Sequence, residues 1–269
     1  MIQFEIAVFL GVLGAAMGSF AGAMTWRIHT KRELANDRSE CEVCHHKLGV
    51  LDLIPIFSWL WLRGKCRYCS KPIGWLPFVA EVAVAAAFVL SYVCWPLGFA
   101  TWQAISLFIL WLGYQVALAI LVLYDARWML LPNKIVLPLV AIAFVDAALR
   151  VSLLPGAGVV EYVMYAGLGL LPLTGVYGGL YLVSKGRWIG FGDVKLAVFM
   201  GVVLGWQKAL VAFILANVIS FVVVLPGLAT GKLARTSRVP FGPFLITAFI
   251  IAGLWGDQLI HWYFGLMGL

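Results

Sequence analysis

Seven stretches of this chain, residues 4–26, 78–95, 102–123, 135–153, 162–183, 208–228 and 241–263, are apolar for long enough to cross about 30 Å of hydrocarbon. Lipid offers no water to exposed backbone N–H and C=O groups, so segments of this kind are expected as helices that bond within themselves. A shorter apolar stretch, 194–206, follows Asp193 and ends around Gly205, and it reads as an eighth helix, short for a full crossing. Composition agrees, since 63% of the 269 residues are hydrophobic, 12% are charged and the mean hydropathy is +0.99. The expected fold is an all-α polytopic membrane protein of about eight transmembrane helices. Gly167, Gly169, Pro172, Gly175, Gly178 and Gly179 lie within one span and predict close helix packing and kinks.

Charge orients this arrangement. Short cytoplasmic loops collect Lys and Arg, and with the N-terminus outside, all but two of the 19 basic residues fall inside. They occupy the segment from Arg27 to about Leu76, the Arg127/Lys134 turn, the connection 185–195 and the loop 232–238, leaving Arg150 and Lys208 outside. The net charge of +7 is then a topology signal with attraction to anionic lipid, and nothing in it points to nucleic acid. A cleaved signal peptide is not expected, because the first apolar run is too long and no basic segment precedes it.

One soluble insertion interrupts the spans, residues 27–75, and holds nine basic residues, five acidic ones and four of the five cysteines. Cys41-x-x-Cys44 and Cys66-x-x-Cys69 have the spacing of two knuckles that each present two thiolates to one tetrahedral zinc ion. Two disulfides or four free thiols are the alternatives, and a cytoplasmic location argues against disulfides. His45 and His46 are further potential ligands, read here as solvated knuckle residues, and Cys94 reads as a small buried hydrophobe. A loop this size has little core of its own, so the metal would supply much of its folding energy. The chain thus divides into a first transmembrane helix (1–26), a cytoplasmic four-cysteine zinc-binding loop (27–76) and a transmembrane core (77–269).

Two acids sit beside long apolar helices: Asp125, in Leu-Tyr-Asp-Ala-Arg-Trp-Met-Leu-Leu-Pro, and Asp193, in Gly190-Phe191-Gly192-Asp193. A carboxylate there costs about a few kcal/mol, which makes each a functional candidate. The topology puts both at the cytoplasmic boundary, where they can meet, and two facing carboxylates can share one proton and activate water. Taken alone, Asp193 also fits an ordinary acid near a helix N-terminus. Lys195 reads equally as an interfacial anchor and as a cation favouring an ionised aspartate. Glu81, after Pro77, can simply complement a helix N-terminus. Asp146 with Arg150, and Asp257 with His261, are spaced as simple i,i+4 helix pairs.

In order along the chain come Gly18-Ser19-Phe20, the two cysteine knuckles, Asp52-Leu53-Ile54-Pro55, Ser58-Trp59-Leu60, Arg63-Gly64-Lys65-Cys66, Glu81, Asp125 with Leu131-Pro132-Asn133, Gly190-Phe191-Gly192-Asp193-Val194-Lys195 and Pro240-Phe241-Gly242-Pro243. With this pattern the chain resembles, nearly end to end, the prepilin peptidases, or type IV leader peptidases, which are polytopic aspartic proteases of type IV pilus and type II secretion systems. Ala21-Gly22-Ala23-Met24-Thr25-Trp26 stands where many members carry an Asn-Val-Val-type run. The resemblance implies that Asp125 and Asp193 are the catalytic pair, supported by Gly190, Gly192 and Lys195. It implies prepilin or pseudopilin substrates and a bacterial inner membrane with the active site at its cytoplasmic face. Members are commonly bifunctional and methylate the new pilin N-terminus with S-adenosylmethionine, which makes Glu81 and the first cytoplasmic loop candidates for binding substrate amine or methyl donor.

Three rival functions fit less well. Presenilin-like intramembrane proteases also use Tyr-Asp and Gly-x-Gly-Asp, but carry Pro-Ala-Leu where this chain has Pro-Phe-Gly-Pro, and lack the knuckles. A transporter or proton channel predicts acids near the bilayer midplane and repetition between halves. A structural zinc-bearing scaffold would tolerate loss of either aspartate.

Overall fold

The computed structural model describes residues 2–33, 38–232, 234 and 239–268. Among them every regular element is helical, and the only strand-like pairings are the isolated bridges Glu40 to Lys47 and Lys65 to Pro72. Residues 34–37 of the expected insertion, and Arg235 and Arg238 of the expected basic loop, lie outside the described residues. Among the described residues, six helices are long and apolar enough to cross a membrane. The chain divides into two compact units, one of Met1–Trp95 with Trp111–Leu123, the other of Pro96–Leu110 with Tyr124–Leu269.

In the first unit α1 (Ile2–His29) packs along α3 (Leu76–Val93). Glycines allow the approach: a Cβ on Gly14 would lie 2.8 Å from the Ala85 Cα, and one on Gly18 would lie 2.6 Å from the Glu81 Cα. Where lipid removes the hydrophobic drive between helices, such small-residue contacts supply the dispersion that holds them together. The Ser91 hydroxyl of α3 accepts from the Trp111 indole N–H at 2.9 Å and the Gln115 amide at 2.6 Å, both on α4 (Trp102–Trp128). Between α1 and α3 the chain makes one 3-10 turn (Val50–Leu53) and the short helix α2 (Phe57–Trp61).

In the second unit α5 (Asn133–Val151) follows α4, and its nineteen residues include Lys134, Asp146 and Arg150, so it is not among the six most apolar helices. The expected span 162–183 is one path in three pieces: α6 (Val159–Leu170), a π-turn (Leu171–Gly175) containing Pro172, and α7 (Val176–Ser184). Pro172 cannot donate into the ladder, which explains where the path loosens. The two expected helices 194–206 and 208–228 are both present and follow each other without a loop, as the two halves of α8 (Phe191–Ala229) on either side of a break at Gly205. Gly205 adopts φ 70°, ψ 171°, a conformation essentially restricted to glycine, so the chain bends there without a loop. The Tyr165 ring fills the space beside it, and its hydroxyl donates to the Val203 carbonyl at 3.0 Å, satisfying an acceptor beside the break.

The first half of α8 is the centre of this unit. Leu196, Ala197, Phe199, Met200, Val202 and Val203 are all buried, and α5, α6 and α9 (Gly242–Met267) surround them. A helix that is apolar on every face belongs in such a position. Gly169 of α6 and Gly201 of α8 bring their backbones together, each meeting the other's carbonyl where a side chain would stand. Asp146 pairs with Arg150 at 2.5 Å as the spacing predicts. Asp257, expected to pair with His261, instead reaches across to Lys208 on α8 at 2.7 Å, because the Lys208 stem lies directly over Gly256.

Candidate active site and metal cluster

Asp125 lies in the last turn of α4, which ends at Met129 in a left-handed conformation. Its carboxylate is buried and its Oδ2 accepts the backbone N–H of Gly242 at 3.1 Å. Gly242 opens α9, and the first amides of a helix have no partners within it. The sequence Phe241-Gly242-Pro243 suits this role: proline at the helix start pre-sets the backbone, while glycine admits the carboxylate. A Cβ on Gly242 would meet Asp125 Oδ2 at 2.7 Å.

Asp193 occupies the first turn of α8 and is only partly exposed; the Gly190 backbone bonds to its carboxylate. Asp125 and Asp193 belong to the same folded unit, one at the end of α4 and the other at the start of α8. Gly192 lies against Leu131, where a Cβ would come 3.1 Å from the Leu131 Cβ, which packs the end of the α4–α5 connection onto the start of α8. Lys195 takes neither expected part alone: its ammonium donates to the Asn133 amide oxygen and lies 5.1 Å from the centre of the Phe191 ring.

The sequence reading did not assign the Gly242 amide, Asn133 or Tyr177. Tyr177 is buried, its hydroxyl accepts from Asn217 at 3.1 Å, and its ring meets Phe241 edge-on at 5.6 Å, next to the residue that bonds Asp125. Pro-Phe-Gly-Pro carried a legible signal for Gly242, since it announces a helix start with free amides. Nothing in the sequence singles out Tyr177 among nine tyrosines.

In the first unit the Sγ atoms of Cys41, Cys44, Cys66 and Cys69 all lie within 4.8 Å of one another, and those of Cys41 and Cys69 are 3.9 Å apart. Four sulfurs about 2.3 Å from one tetrahedral metal would be about 3.8 Å apart, so the cluster fits such an ion. All five cysteines are free thiols, which removes the disulfide alternative. The knuckles repeat one backbone design at a spacing of 25 residues. Cys41 N–H donates to His46 and Cys66 N–H to Lys71, Leu48 to Ser39 and Ile73 to Gly64, and His45 and Ser70 are both left-handed. Neither histidine enters the cluster: His45 pairs with Glu40 at 3.0 Å, and the His46 ring lies 3.7 Å from that of Tyr68. Burial pushes the Cys41 thiol up, but the Cys44 and Val43 amides and the neighbouring sulfurs bring it down to about 7.

Asp52 ties the second knuckle to the turn that leaves the first. It accepts from the Arg67 guanidinium at 2.6 Å, the Gly49 amide at 3.1 Å and the Tyr68 hydroxyl at 3.1 Å. Against the upward push of burial, these bonds hold its carboxyl below the usual aspartate range. Glu81, the remaining candidate, is buried on α3 and accepts from the Ile56 backbone N–H at 2.6 Å and from the Ser19 hydroxyl.

Comparison with known proteins matches the chain in two parts. Residues 12–95 match the family described as Bacterial Peptidase A24 N-terminal domain, and residues 112–225 match the Type IV leader peptidase family. The chain is 33% identical to the prepilin leader peptidase/N-methyltransferase of Aeromonas hydrophila over 84% of its own length and 74% of that protein's. The Pseudomonas aeruginosa protein of the same name is 33% identical over 86% of this chain and 76% of its own. The Bacillus subtilis protein, again of that name, is 30% identical over 94% of this chain and 96% of its own. No solved structure matches.

Proposed function

Since this chain belongs to the type IV leader peptidase family and is a multi-pass membrane protein, we propose that it removes the leader of type IV prepilins or pseudopilins with Asp125 and Asp193 as its catalytic acids. The observation that carries this reading is that both carboxylates stand at helix ends in one unit, where Gly192 packs the start of α8 against Leu131 just beyond the end of α4. One carboxylate, ionised, takes a proton from water as the hydroxyl adds to the scissile carbonyl. The other, protonated, gives its proton to the carbonyl oxygen; on collapse of the adduct the leaving amine nitrogen takes the proton from the first acid while a diol hydroxyl returns one to the second. The pair titrates as a unit, so neither role belongs to one residue. The Gly242 amide engages one oxygen of Asp125 and leaves the other for water. Gly190, Gly192 and the Lys195–Asn133 contact hold the start of α8 in place, as active-site support.

The distribution of basic residues supports an N-terminus outside and acids at the cytoplasmic face of the inner membrane, where a helical substrate can unwind in the presence of water. Cys41, Cys44, Cys66 and Cys69 would hold a structural zinc ion, whose chemistry is to fasten the two knuckles together. Methylation of the new N-terminus is the second activity carried by the relatives' name, and the first unit, with Glu81, is proposed to serve it. The apolar groove between α1 and α3, lined by Val8, Val12, Ile54, Phe57, Val82 and Val89, does not fit S-adenosylmethionine, whose sugar and amino-acid ends need polar partners.

The test is incubation of membranes containing the protein with a tagged prepilin, followed by mass. Loss of the leader, then gain of one methyl group on the mature chain, is expected. A protein that leaves a panel of prepilins and pseudopilins intact contradicts the proposal.

A further inference from the structure

Ile56 has φ 65°, ψ −55°, and the Phe57 N–H bonds back to the Pro55 carbonyl at 2.6 Å. This is a γ-turn of the positive-φ kind, rare and strained for any side chain. For a β-branched residue it is an outlier that persists only where surroundings enforce it. The enforcing group is visible: the Ile56 N–H points at Glu81 Oε2, 2.6 Å away, and Glu81 sits at the crossing where Gly18 of α1 admits α3. The Ser19 hydroxyl of α1 bonds the same carboxylate. One buried side chain therefore joins α1, α3 and the segment that leads from the metal cluster to α2.

We infer that Glu81 is a positioning residue: it acts as the hydrogen-bond acceptor that locks the strained Ile56 turn and so sets the segment 54–57 against α1 and α3, and it does not act as an anionic site for a substrate amine. The inference deepens the proposed methyl-transfer role of this unit and rests on it for the activity readout. The chemistry separates the two roles. A glutamine at this position keeps a carbonyl oxygen for the Ile56 N–H, and a serine hydroxyl can turn to accept from its amide. An amine-binding charge has no such substitute.

The experiment uses the full-length protein in lipid nanodiscs, comparing wild type with Glu81→Gln, Glu81→Ala, Ile56→Gly and the double variant Glu81→Ala/Ile56→Gly. Hydrogen exchange at Ile56 and its neighbours is read beside leader cleavage and methylation of a prepilin. Exchange of the Ile56 amide should accelerate about tenfold or more in Glu81→Ala, the factor implied by losing a bond to a charged acceptor, and stay within about threefold of wild type in Glu81→Gln. Methylation should fall with Glu81→Ala and be rescued by Glu81→Gln. Because glycine adopts positive φ without strain, Glu81→Ala should do less harm in the Ile56→Gly background than alone. If Glu81→Gln matches Glu81→Ala in loss of methylation while the turn stays protected, the charge is what matters and the inference is overturned. Unchanged exchange in Glu81→Ala overturns it as well. A wild type with neither activity sinks the functional reading alone, and the exchange ranking then still decides the turn.

Discussion

At the scale of single residues, three acids, Asp125, Asp193 and Glu81, are each held by a backbone group. Asp125 meets the Gly242 amide, Asp193 the Gly190 backbone and Glu81 the Ile56 amide. Gly242→Ala should therefore displace the Asp125 carboxylate without removing it, since the new Cβ would meet Oδ2 at 2.7 Å. Cleavage should drop by about 10²-fold, the scale of a roughly 1 Å misplacement, while the protein still folds; single-turnover rates at matched protein levels check this. Asp52 gives a prediction in pH. Its folded pKa is lowered, so its contribution to the stability of the knuckles is complete above about pH 5 and is lost as pH falls through the carboxylate range. Asp52→Ala should cost about 1–3 kcal/mol and flatten that dependence, as followed by proteolysis of the first unit between about pH 4 and pH 7. The cysteines and both membrane acids were legible as residues because their types are rare in their settings. The Ile56 turn was not, for isoleucine is the last side chain that local sequence assigns to positive φ.

At the scale of elements, apolar runs announced helices because hydrocarbon leaves the backbone one solution, and the expected spans match helices to within a few residues. Gly205 ends an apolar stretch in the sequence, and the helix breaks there as read, with no loop before the second half of α8. Glycine is compatible with a stop, a kink or close packing, and only the neighbouring Tyr165 decides among them. Gly205→Ala should cost about 1–3 kcal/mol, because alanine is excluded from φ 70°, ψ 171° and its Cβ meets the Tyr165 ring at 2.9 Å. A lower thermal midpoint in detergent would show it, and an unchanged midpoint would mean that α8 is straight at this point. The metal cluster also belongs to this scale, since it joins two short knuckles with no core of their own. Chelation should release one zinc ion per chain and expose the insertion to protease. Binding should weaken as pH falls, because each cysteine must give up its proton to the solvent before it can bind.

At the scale of the whole chain, chemistry is divided between the two folded units. One carries the cysteine cluster and Glu81, the other carries Asp125 and Asp193; the first family match lies within the first unit, and the second begins in its residues 112–123 and continues through the second unit. On the proposed reading, the acids that would hydrolyse a peptide bond sit apart in sequence from the unit proposed to serve methyl transfer. The ordered motifs made the site legible because they pair residues whose spacing in sequence has no local explanation. The partners of those residues escaped the sequence, because a backbone amide supplied by a distant helix leaves no mark on composition or period. The most direct measurement compares wild type, Asp125→Asn and Asp193→Asn at matched expression, each with a tagged prepilin in membranes, with leader loss followed by mass. The account predicts that each single variant loses about 10²- to 10⁴-fold in cleavage rate, the range for removing a general acid or base, while retaining its zinc. Cleavage by either variant at the wild-type rate would contradict it.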